Sequence, residues 1–390
     1  MPEINPAVLV WARESAGLTV AKAAKSLALG GSKSSPEEAL LHYEQGRKEV
    51  SRALLAKMAS TYRRPLLVFY LPTPPIAAEK GEDFRTVPEE IRLESKGSLD
   101  ALVRDIFVRK ELIRDVLKDI EEAQPKAYVK SLSLEFSVPD AAIKLSSIIN
   151  FNLLAFRKCA KPEDAFSYLR KRVEDIGIFV LLIGNLGSHH TNIPVEAFRG
   201  FALADEIAPI IVINDQDAPA ARSFTLLHEV AHILLGATGL SGSRAETKIE
   251  RYCNDIASIT LMPFGEIEAF DWPIHDEAML IRAISGRARD INVSGSMVAY
   301  RLYSAGIIGI DAWTSVSDKL RKLWLMQKAA QKEDRGDGSG PSYYVVKRHK
   351  VGGAIIDLVN RTMREGVLTA TKASKVLGVK PANVYNLVGI

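Results

Sequence analysis

The chain has 390 residues, 47% of them apolar and 25% charged, and its net charge is +4. This composition is typical of a folded protein of roughly two to three domains, and it excludes a largely disordered chain. The small positive charge does not by itself indicate nucleic-acid binding, although it can conceal a local basic patch.

Cysteine content and hydropathy indicate the compartment. Cys159 and Cys253 are the only cysteines, too few for a disulfide framework, which favours a reducing compartment. The N-terminus lacks the charged and apolar regions of a secretory signal. No apolar run approaches the roughly 18 residues that span a bilayer. We therefore expect a cytoplasmic protein without a membrane partner.

The first 70 residues predict short helices. The pattern contains an amphipathic stretch at 8–16, a second helix that Thr19 can cap, a third that begins near Pro36, and a fourth at 50–62. Two short helices joined by a glycine-bearing turn are typical of a helix-turn-helix. The proline-rich stretch at 71–75 cannot continue a helix and predicts a domain boundary.

The middle of the chain predicts more helices and then a small sheet. Segments in which apolar residues recur at helical spacing are predicted as helices. Short apolar runs between helix-breaking residues are predicted as buried strands. The predicted helices are 88–122, 141–156, 162–176, 220–235 and 245–261, and the predicted strands are 178–183, 198–203 and 207–214. Helices packed on a small sheet indicate a mostly helical α+β fold.

The C-terminal part predicts further helix-turn-helix-like segments. One lies at 291–302, and another runs from 369 to 387 with a turn at Gly378. Between them, residues 332–341 are charged and rich in glycine and serine, which indicates a linker. Residues 343–347 predict a short strand after that linker.

The strongest chemical signal is the run from His228 through Glu229, Val230 and Ala231 to His232. At 3.6 residues per turn, the two histidines lie one turn apart on one face of a helix, so both can bind one ion. Glu229 lies beside the first histidine and can accept a proton from a water molecule that the metal activates. The flanking apolar residues predict a buried helix, where two histidines and a carboxylate are costly without a function. The run therefore predicts a zinc-dependent peptidase.

A catalytic zinc needs a third protein ligand and an open position. The next predicted helix offers Glu250, which shares a face with Cys253, Asn254 and Ala257. The sequence favours Glu250 as the third zinc ligand, and three alternatives stay open: Glu246, Asp255 and the pair His189-His190. We read Glu246 as a solvated charge, Cys253 as a small core residue and His189-His190 as an exposed loop pair.

At this point the chain resembles the ImmA/IrrE family of metallopeptidases. The resemblance runs from Phe198 to Pro263 and includes the segment Ser223 to His232, the Glu250-Arg251-Tyr252-Cys253-Asn254 run and the terminal Leu-Met-Pro. It implies a zincin-like fold in which His228, His232 and Glu250 hold Zn²⁺, Glu229 is the general base, and Asn254 orients or packs beside a ligand. It also implies cleavage of a helix-turn-helix repressor that controls stress-response or mobile-element genes.

The N-terminal segment resembles an XRE-type helix-turn-helix. The residues that carry this resemblance include Asn5-Pro6, 11–14, Ala23-Ala24 and 43–46. The third helix departs from the pattern, since Glu37 and Glu38 stand where base-reading side chains are expected. Nearby lysines and arginines can offset these carboxylates through phosphate contacts. The module is thus predicted either to bind DNA, duplex or single-stranded, or to bind protein or pack on the peptidase.

These patterns divide the chain into five regions. We predict an XRE-like domain at 1–75, a helical linker region at 76–150, the metallopeptidase domain at 151–275, a helical extension at 276–331, and a linker with a C-terminal helical module at 332–390. Residues 198–203 predict an edge strand that binds an extended substrate, with Arg199, Gly200 and Phe201 as its contact residues.

The predicted function is a zinc endopeptidase that cleaves a specific regulatory protein. Two alternatives remain from the sequence. The first is a DNA-binding regulator whose peptidase domain is sensory or vestigial. The second is an antitoxin-like protein that acts by stoichiometric binding.

Overall fold

The computed structural model describes residues 4–30, 35–75, 89–187, 191–237, 239–241, 248–333 and 342–390. Within these ranges the chain is mostly helical and contains one small sheet, so the predicted α+β class is confirmed. The chain divides into two compact units. In the described part of the chain, no helix combines the length and apolar character that crossing a bilayer requires.

The first unit contains the described residues of Met1–Gly81, Val87–Val108 and Asn185–Ala197. Its N-terminal helices are α1 (Pro6–Ser15), α2 (Val20–Ser26), α3 (Pro36–Glu44) and α4 (Arg52–Tyr62), followed by a 3-10 turn at Leu66–Tyr70. Each of the four α-helices begins after a side chain that accepts a hydrogen bond from the first turn: Asn5, Thr19, Ser35 and Ser51. These caps satisfy amides that would otherwise lack a partner.

A buried ion pair joins α1 to α3. Arg13 Nε donates to Glu44 Oε1 at 2.7 Å, and Arg13 Nη2 donates to Glu44 Oε2 at 3.0 Å. Removing one partner of such a pair would leave a buried charge without compensation, so the pair fixes the packing of the two helices. The apolar core around it includes Leu9, Ala12, Ala23, Ala24, Leu27, Leu40, Leu55, Met58, Tyr62 and Phe69.

The second unit contains the described residues of Arg109–Gly184 and Phe198–Ile390. Helix α5 (Glu89–Asp119) contributes residues to both units. The next elements are α6 (Val138–Ile148), α7 (Leu153–Arg157), α8 (Pro162–Asp175), β1 (Phe179–Leu182), β2 (Gly200–Leu203), β3 (Ile210–Ile213), α9 (Pro219–Leu235), β4 (Gly239–Ser241), α10 (Lys248–Leu261), α11 (Phe264–Glu268), α12 (Glu277–Asp290), α13 (Gly295–Ser304) and α14 (Ile310–Glu333). The chain ends with α15 (Tyr343–Val351), α16 (Gly353–Arg364), α17 (Ala370–Leu377), a 3-10 turn at Pro381–Asn383, and α18 (Val384–Val388).

The sheet has the strand order β1-β3-β2-β4. β1 pairs with β3 in parallel, with Phe179 opposite Ile210, and β2 pairs with β3 antiparallel, with Gly200 opposite Ile213. All residues of β1, β2 and β3 are buried, as the continuous apolar runs predicted. α9 packs against this sheet on one side and against α10 on the other.

Our prediction of an edge strand at 198–203 was wrong. β2 lies between β3 and β4, and Gly200, Phe201 and Ala202 pair with Ser241, Leu240 and Gly239. The backbone groups of β2 are therefore already used on both sides and cannot bind a substrate strand. The local sequence of β2 does not reveal this pairing, because its partner β4 follows in the chain only after the long helix α9.

Two other local predictions also differ from the structure. The helix predicted at 141–156 is two helices, because Asn150 has a left-handed φ of 48° and Asn152 caps α7. The strand predicted at 343–347 is wrong, since these residues begin α15. Ser342 accepts a hydrogen bond from the amide of Val345, and this N-cap starts a helix despite the β-branched residues. The predicted linker lies outside the described residues except for 332 and 333, which end α14.

Candidate functional site

Helix α9 carries the histidine pair on its buried face. It begins with Pro219 in the first turn and ends at Gly236, whose φ of 70° is left-handed. His228 and His232 are each 3% exposed, and their Nε2 atoms lie 3.0 Å apart. The helical spacing thus brings the two ring nitrogens to one point inside the protein.

Glu250 of α10 completes the group of donor atoms. Its Oε2 lies 3.2 Å from His228 Nε2, and its Oε1 lies 3.2 Å from His232 Nε2. Among the described residues these three side chains form the group of histidine and acidic ligand atoms close enough to hold a metal ion. The structure therefore brings together the three residues that the sequence and its resemblance indicated as ligands.

The spacing of the donors fits a tetrahedral ion. Ligand atoms about 2.0–2.1 Å from a tetrahedral Zn²⁺ lie about 3.3–3.4 Å from one another. The observed separations of 3.0, 3.2 and 3.2 Å are close to this edge length. Among the described residues three side chains would hold such an ion, which is the number of protein ligands typical of a catalytic rather than a structural zinc site.

The electrostatics of the site also suit a cation. Burial raises the pKa of Glu250, but hydrogen bonds and charge from His228 and His232 outweigh it and lower the pKa to about 2. Burial lowers the pKa of His232, yet interactions with Cys253, Glu250 and Glu229 outweigh burial and raise the pKa well above 6.5. A carboxylate that stays ionised next to two imidazoles provides the charge that a divalent metal needs.

Glu229 lies beside this group and is completely buried. The strand β2 approaches it through Gly200, where a Cβ atom would lie 2.9 Å from Glu229 Oε1 and 2.8 Å from Thr225 Cγ2. Only glycine permits this close approach of backbone to carboxylate. Gly200 therefore limits the positions that the Glu229 side chain can take.

The other predicted substrate-contact residues have different surroundings. Arg199 Nη1 donates to Asp217 Oδ2 at 3.1 Å, and the carbonyl of Arg199 accepts from the amide of Asn214. Phe201 is 1% exposed and packs near Phe198, with ring centroids 6.0 Å apart. Phe201 is a core side chain in the structure, and a surface contact with substrate is not available to it.

The remaining ligand alternatives are placed as follows. Asp255 accepts a hydrogen bond from the hydroxyl of Tyr300 at 2.7 Å and is not part of the donor group. Cys253 is a buried core residue that interacts with His232. Asn254 is half-buried one turn after Glu250 on α10. Glu246, His189 and His190 lie outside the described residues.

The sequence analysis did not predict two features of the site. Phe224 packs one turn before His228, with ring centroids 6.3 Å apart, and contacts Tyr300 edge-on. The end of α9 is held by a distant loop, in which the amides of Lys130 and Leu132 donate to the carbonyls of Ile233 and Leu234. The aromatic residue at 224 was a visible signal, whereas the loop contact spans about 100 residues and had none.

Comparisons with known proteins agree with this geometry. Residues 185–303 match the family model Peptidase_M78, described as an IrrE N-terminal-like domain. The chain is also 29% identical over 147 residues to the radiation response metalloprotease IrrE of Deinococcus deserti, a match covering 35% of this chain and 47% of that protein. The chain thus spans about half the length of this relative. No solved structure gives a significant match.

The matched region extends from before β2 to the last turn of α13, and so includes all three donors and Glu229. Metallopeptidases require a bound divalent metal, and the His228, His232 and Glu250 group can hold one. Residues 185–303 are therefore similar to a metallopeptidase domain, and this region contains the group of side chains that can hold a metal ion.

Proposed function

We propose that this protein is a zinc-dependent endopeptidase of the HExxH type that cleaves a specific regulatory protein. The observation that carries this proposal is the triangle of donor atoms from His228, His232 and Glu250, with separations of 3.0–3.2 Å. A fully buried carboxylate, Glu229, lies beside it. This combination favours hydrolysis over a structural metal site, because the described residues supply three donors rather than four and Glu229 can act as the base.

Each residue has a distinct role in the proposed reaction. Bound zinc would supply Lewis-acid polarisation of the peptide carbonyl and a water of lowered pKa. His228, His232 and Glu250 would hold the ion. Glu229 accepts a proton from the attacking water and delivers it to the leaving amine. Gly200 leaves the space beside β2 that the Glu229 carboxylate occupies, since a Cβ atom there would collide with it.

The relative suggests the class of substrate. Its name describes a metalloprotease of the radiation response. We propose that the present chain cuts a protein that controls gene expression, namely a helix-turn-helix repressor of stress-response or mobile-element genes. We also propose a cytoplasmic location, on the grounds of the low cysteine content.

We further propose that residues 1–75 form an XRE-type helix-turn-helix domain. Support comes from the four short capped helices α1 to α4 and from the buried Arg13–Glu44 pair that fixes α1 against α3. The side chain of Glu38 caps α3 by accepting from the amide of Ser35, which occupies one of the two carboxylates that would face phosphates. Contact of this module with DNA is part of the proposal.

The proposed function is tested with purified protein, zinc and the repressor-like proteins encoded beside its gene. Mass spectrometry of the products maps any cut. Glu229→Gln is expected to keep a full complement of metal and to lose cleavage by about 10²-fold or more, since the proton acceptor is gone. Normal cleavage by the Glu229→Gln protein would show that the proposed mechanism is wrong. Absence of a defined cut in all these proteins would contradict the proposed substrate class.

A further inference from the structure

The C-terminal module, defined here as residues 342–390, differs in charge from the rest of the chain. It contains eight lysines and arginines but two aspartates and glutamates, a formal charge of +6, whereas the complete chain carries +4. The remaining 341 residues of the sequence therefore have a net charge of −2. The positive charge of this protein is concentrated in one small helical module.

Three of these cations serve the fold. Arg361 donates through Nη1 and Nη2 to the two carboxylate oxygens of Glu122, at 2.6 and 2.7 Å. Lys350 pairs with Asp215 at 2.5 Å. Arg348 donates from Nη2 to the carbonyl of Leu387 at 2.7 Å and so holds the end of α18. Arg361 and Lys350 join the module to the rest of the second unit, and Arg348 stabilises the module internally.

Three other lysines of the module are not used in this way. Lys372 and Lys375 lie three residues apart on α17, and Lys380 follows the turn after it. All three are exposed, and none forms an ion pair with any residue in the described part of the chain. Residues three apart on a helix share a face, so Lys372 and Lys375 project to the same side. Their charge is therefore available to a partner.

The surrounding elements have helix-turn-helix form. α17 ends at Gly378, which has a left-handed φ of 62°, and the chain enters the 3-10 turn and α18 three residues later. This left-handed φ favours glycine, and a Cβ atom at position 378 would also meet the guanidinium of Arg109. The inner faces of both helices are completely buried through Ala373, Leu377, Val384 and Leu387.

The outer face of α18 presents polar groups. Tyr385 and Asn386 are exposed, while their neighbours Val384 and Leu387 are in the core. Asn386 Nδ2 donates to the hydroxyl of Tyr344 at 3.1 Å, which orients the amide and leaves its oxygen available. In a helix-turn-helix the second helix enters the major groove, where side chains of this kind reach base edges.

We propose that the C-terminal module binds duplex DNA. Lys372, Lys375 and Lys380 contact backbone phosphates, and Tyr385 and Asn386 face the groove. The argument for duplex DNA over RNA is one of groove shape, because a helix of a helix-turn-helix can enter the wide major groove of B-DNA but not the deep, narrow one of A-form RNA. This inference does not depend on the peptidase proposal, since it rests on other residues and uses another measurement.

The test is binding of the full chain to a labelled random-sequence duplex of about 30 base pairs, measured by fluorescence anisotropy between 50 and 200 mM salt. Each phosphate contact contributes about 0.9 to the slope of log affinity against log salt. The triple variant K372Q/K375Q/K380Q is expected to reduce that slope by up to about 3 and to weaken binding by at least about tenfold at 100 mM salt. The matched control K158Q/K161Q/K322Q removes the same charge from other exposed lysines and should bind as the unmodified protein does.

Three outcomes would overturn the proposal: no binding of the unmodified protein to duplex DNA, equal slopes for the triple variant and the unmodified protein, or tighter binding to single- or double-stranded RNA of the same length. Circular dichroism checks that the variants are folded. If the triple variant is unfolded, Lys380→Gln alone is measured, with an expected loss of about 0.9 in slope. Binding through residues 1–75 would be unaffected by these substitutions, so the difference in slope isolates the C-terminal module.

Discussion

Gly200 and Glu229 are in direct contact, with the strand backbone of β2 packed against the carboxylate of α9. A Cβ atom at position 200 would lie 2.9 Å from Glu229 Oε1 and 3.1 Å from its Cγ. Neither residue can move easily. Gly200 lies in a strand that pairs with β3 and β4, and Glu229 is completely buried. The position of the proposed general base thus depends on the absence of a side chain on a different element.

Gly200→Ala is expected to lower the cleavage rate at least tenfold while the metal content stays unchanged. The added methyl group displaces Glu229, and the metal-donor atoms are not among its three nearest neighbours. Small displacements of a reacting group can cost about 10²-fold in rate. Cleavage assays and metal analysis by mass spectrometry measure the two effects separately. Gly286→Ala is the control, since a Cβ there meets no atom within 4 Å. Equal rates for the two variants would contradict the positioning role of Gly200.

Glu250→Gln is expected to weaken metal binding by more than about 100-fold. Loss of an outer-sphere partner already costs about 10–100-fold, and a direct ligand contributes more. Competition with a chelator of known affinity measures the change. Asp255→Asn is a matched control on the same helix, because that carboxylate accepts from Tyr300 and lies outside the donor group. A greater loss of metal for Asp255→Asn than for Glu250→Gln would reverse the assignment of the third ligand.

Asp205 gives a prediction about pH. Burial raises the pKa of Asp205, but the amides of Ala208 and Ile207 and the charges of Lys110 and Arg114 outweigh burial and lower the pKa below 3.8. A lowered folded pKa means that the ionised form stabilises the fold above pH 3.8 and that this stabilisation is lost as the pH falls further.

Asp205→Asn is therefore expected to reduce the free energy of unfolding by roughly 2 kcal/mol near pH 7, the magnitude of hydrogen bonds to a charged group. The difference from the unmodified protein should shrink below pH 3.8. Urea unfolding at a series of pH values measures it, and Asp318→Asn, at an exposed position, serves as the control. A penalty that is independent of pH would show that charge at Asp205 is not its cause.

The pair Arg13–Glu44 gives a prediction about the first unit. Arg13→Ala leaves the buried Glu44 carboxylate without its partner and is expected to cost about 3–5 kcal/mol. Hydrogen exchange followed by mass spectrometry should show faster exchange in α1 and α3. Arg52→Ala, at the exposed start of α4, should leave exchange in those helices unchanged. The double variant R13M/E44L should recover much of the protection, because no buried charge remains.

Local patterns predicted most of the elements. The strands at 178–183 and 207–214 appear as β1 and β3, and the helices at 220–235 and 245–261 appear as α9 and α10. These elements have strong periodicity or continuous apolar runs between breakers, which is the information that a local sequence window contains. The failures at 343–347 and 141–156 occurred where a capping residue or a left-handed asparagine decided the outcome, against the apolar pattern.

The sequence by itself determined that His228 and His232 project from one face of a helix, since a spacing of four residues has that result wherever the helix lies. Only the tertiary structure decided which side chain of α10 meets them, because Glu250 and Asp255 differ in where the packing of α9 and α10 directs each carboxylate. The same holds for the contact of Gly200 with Glu229 and for the pairing of β2 with β4. These contacts join segments far apart in the chain, and local spacing contains no information about which distant backbone will pack against them.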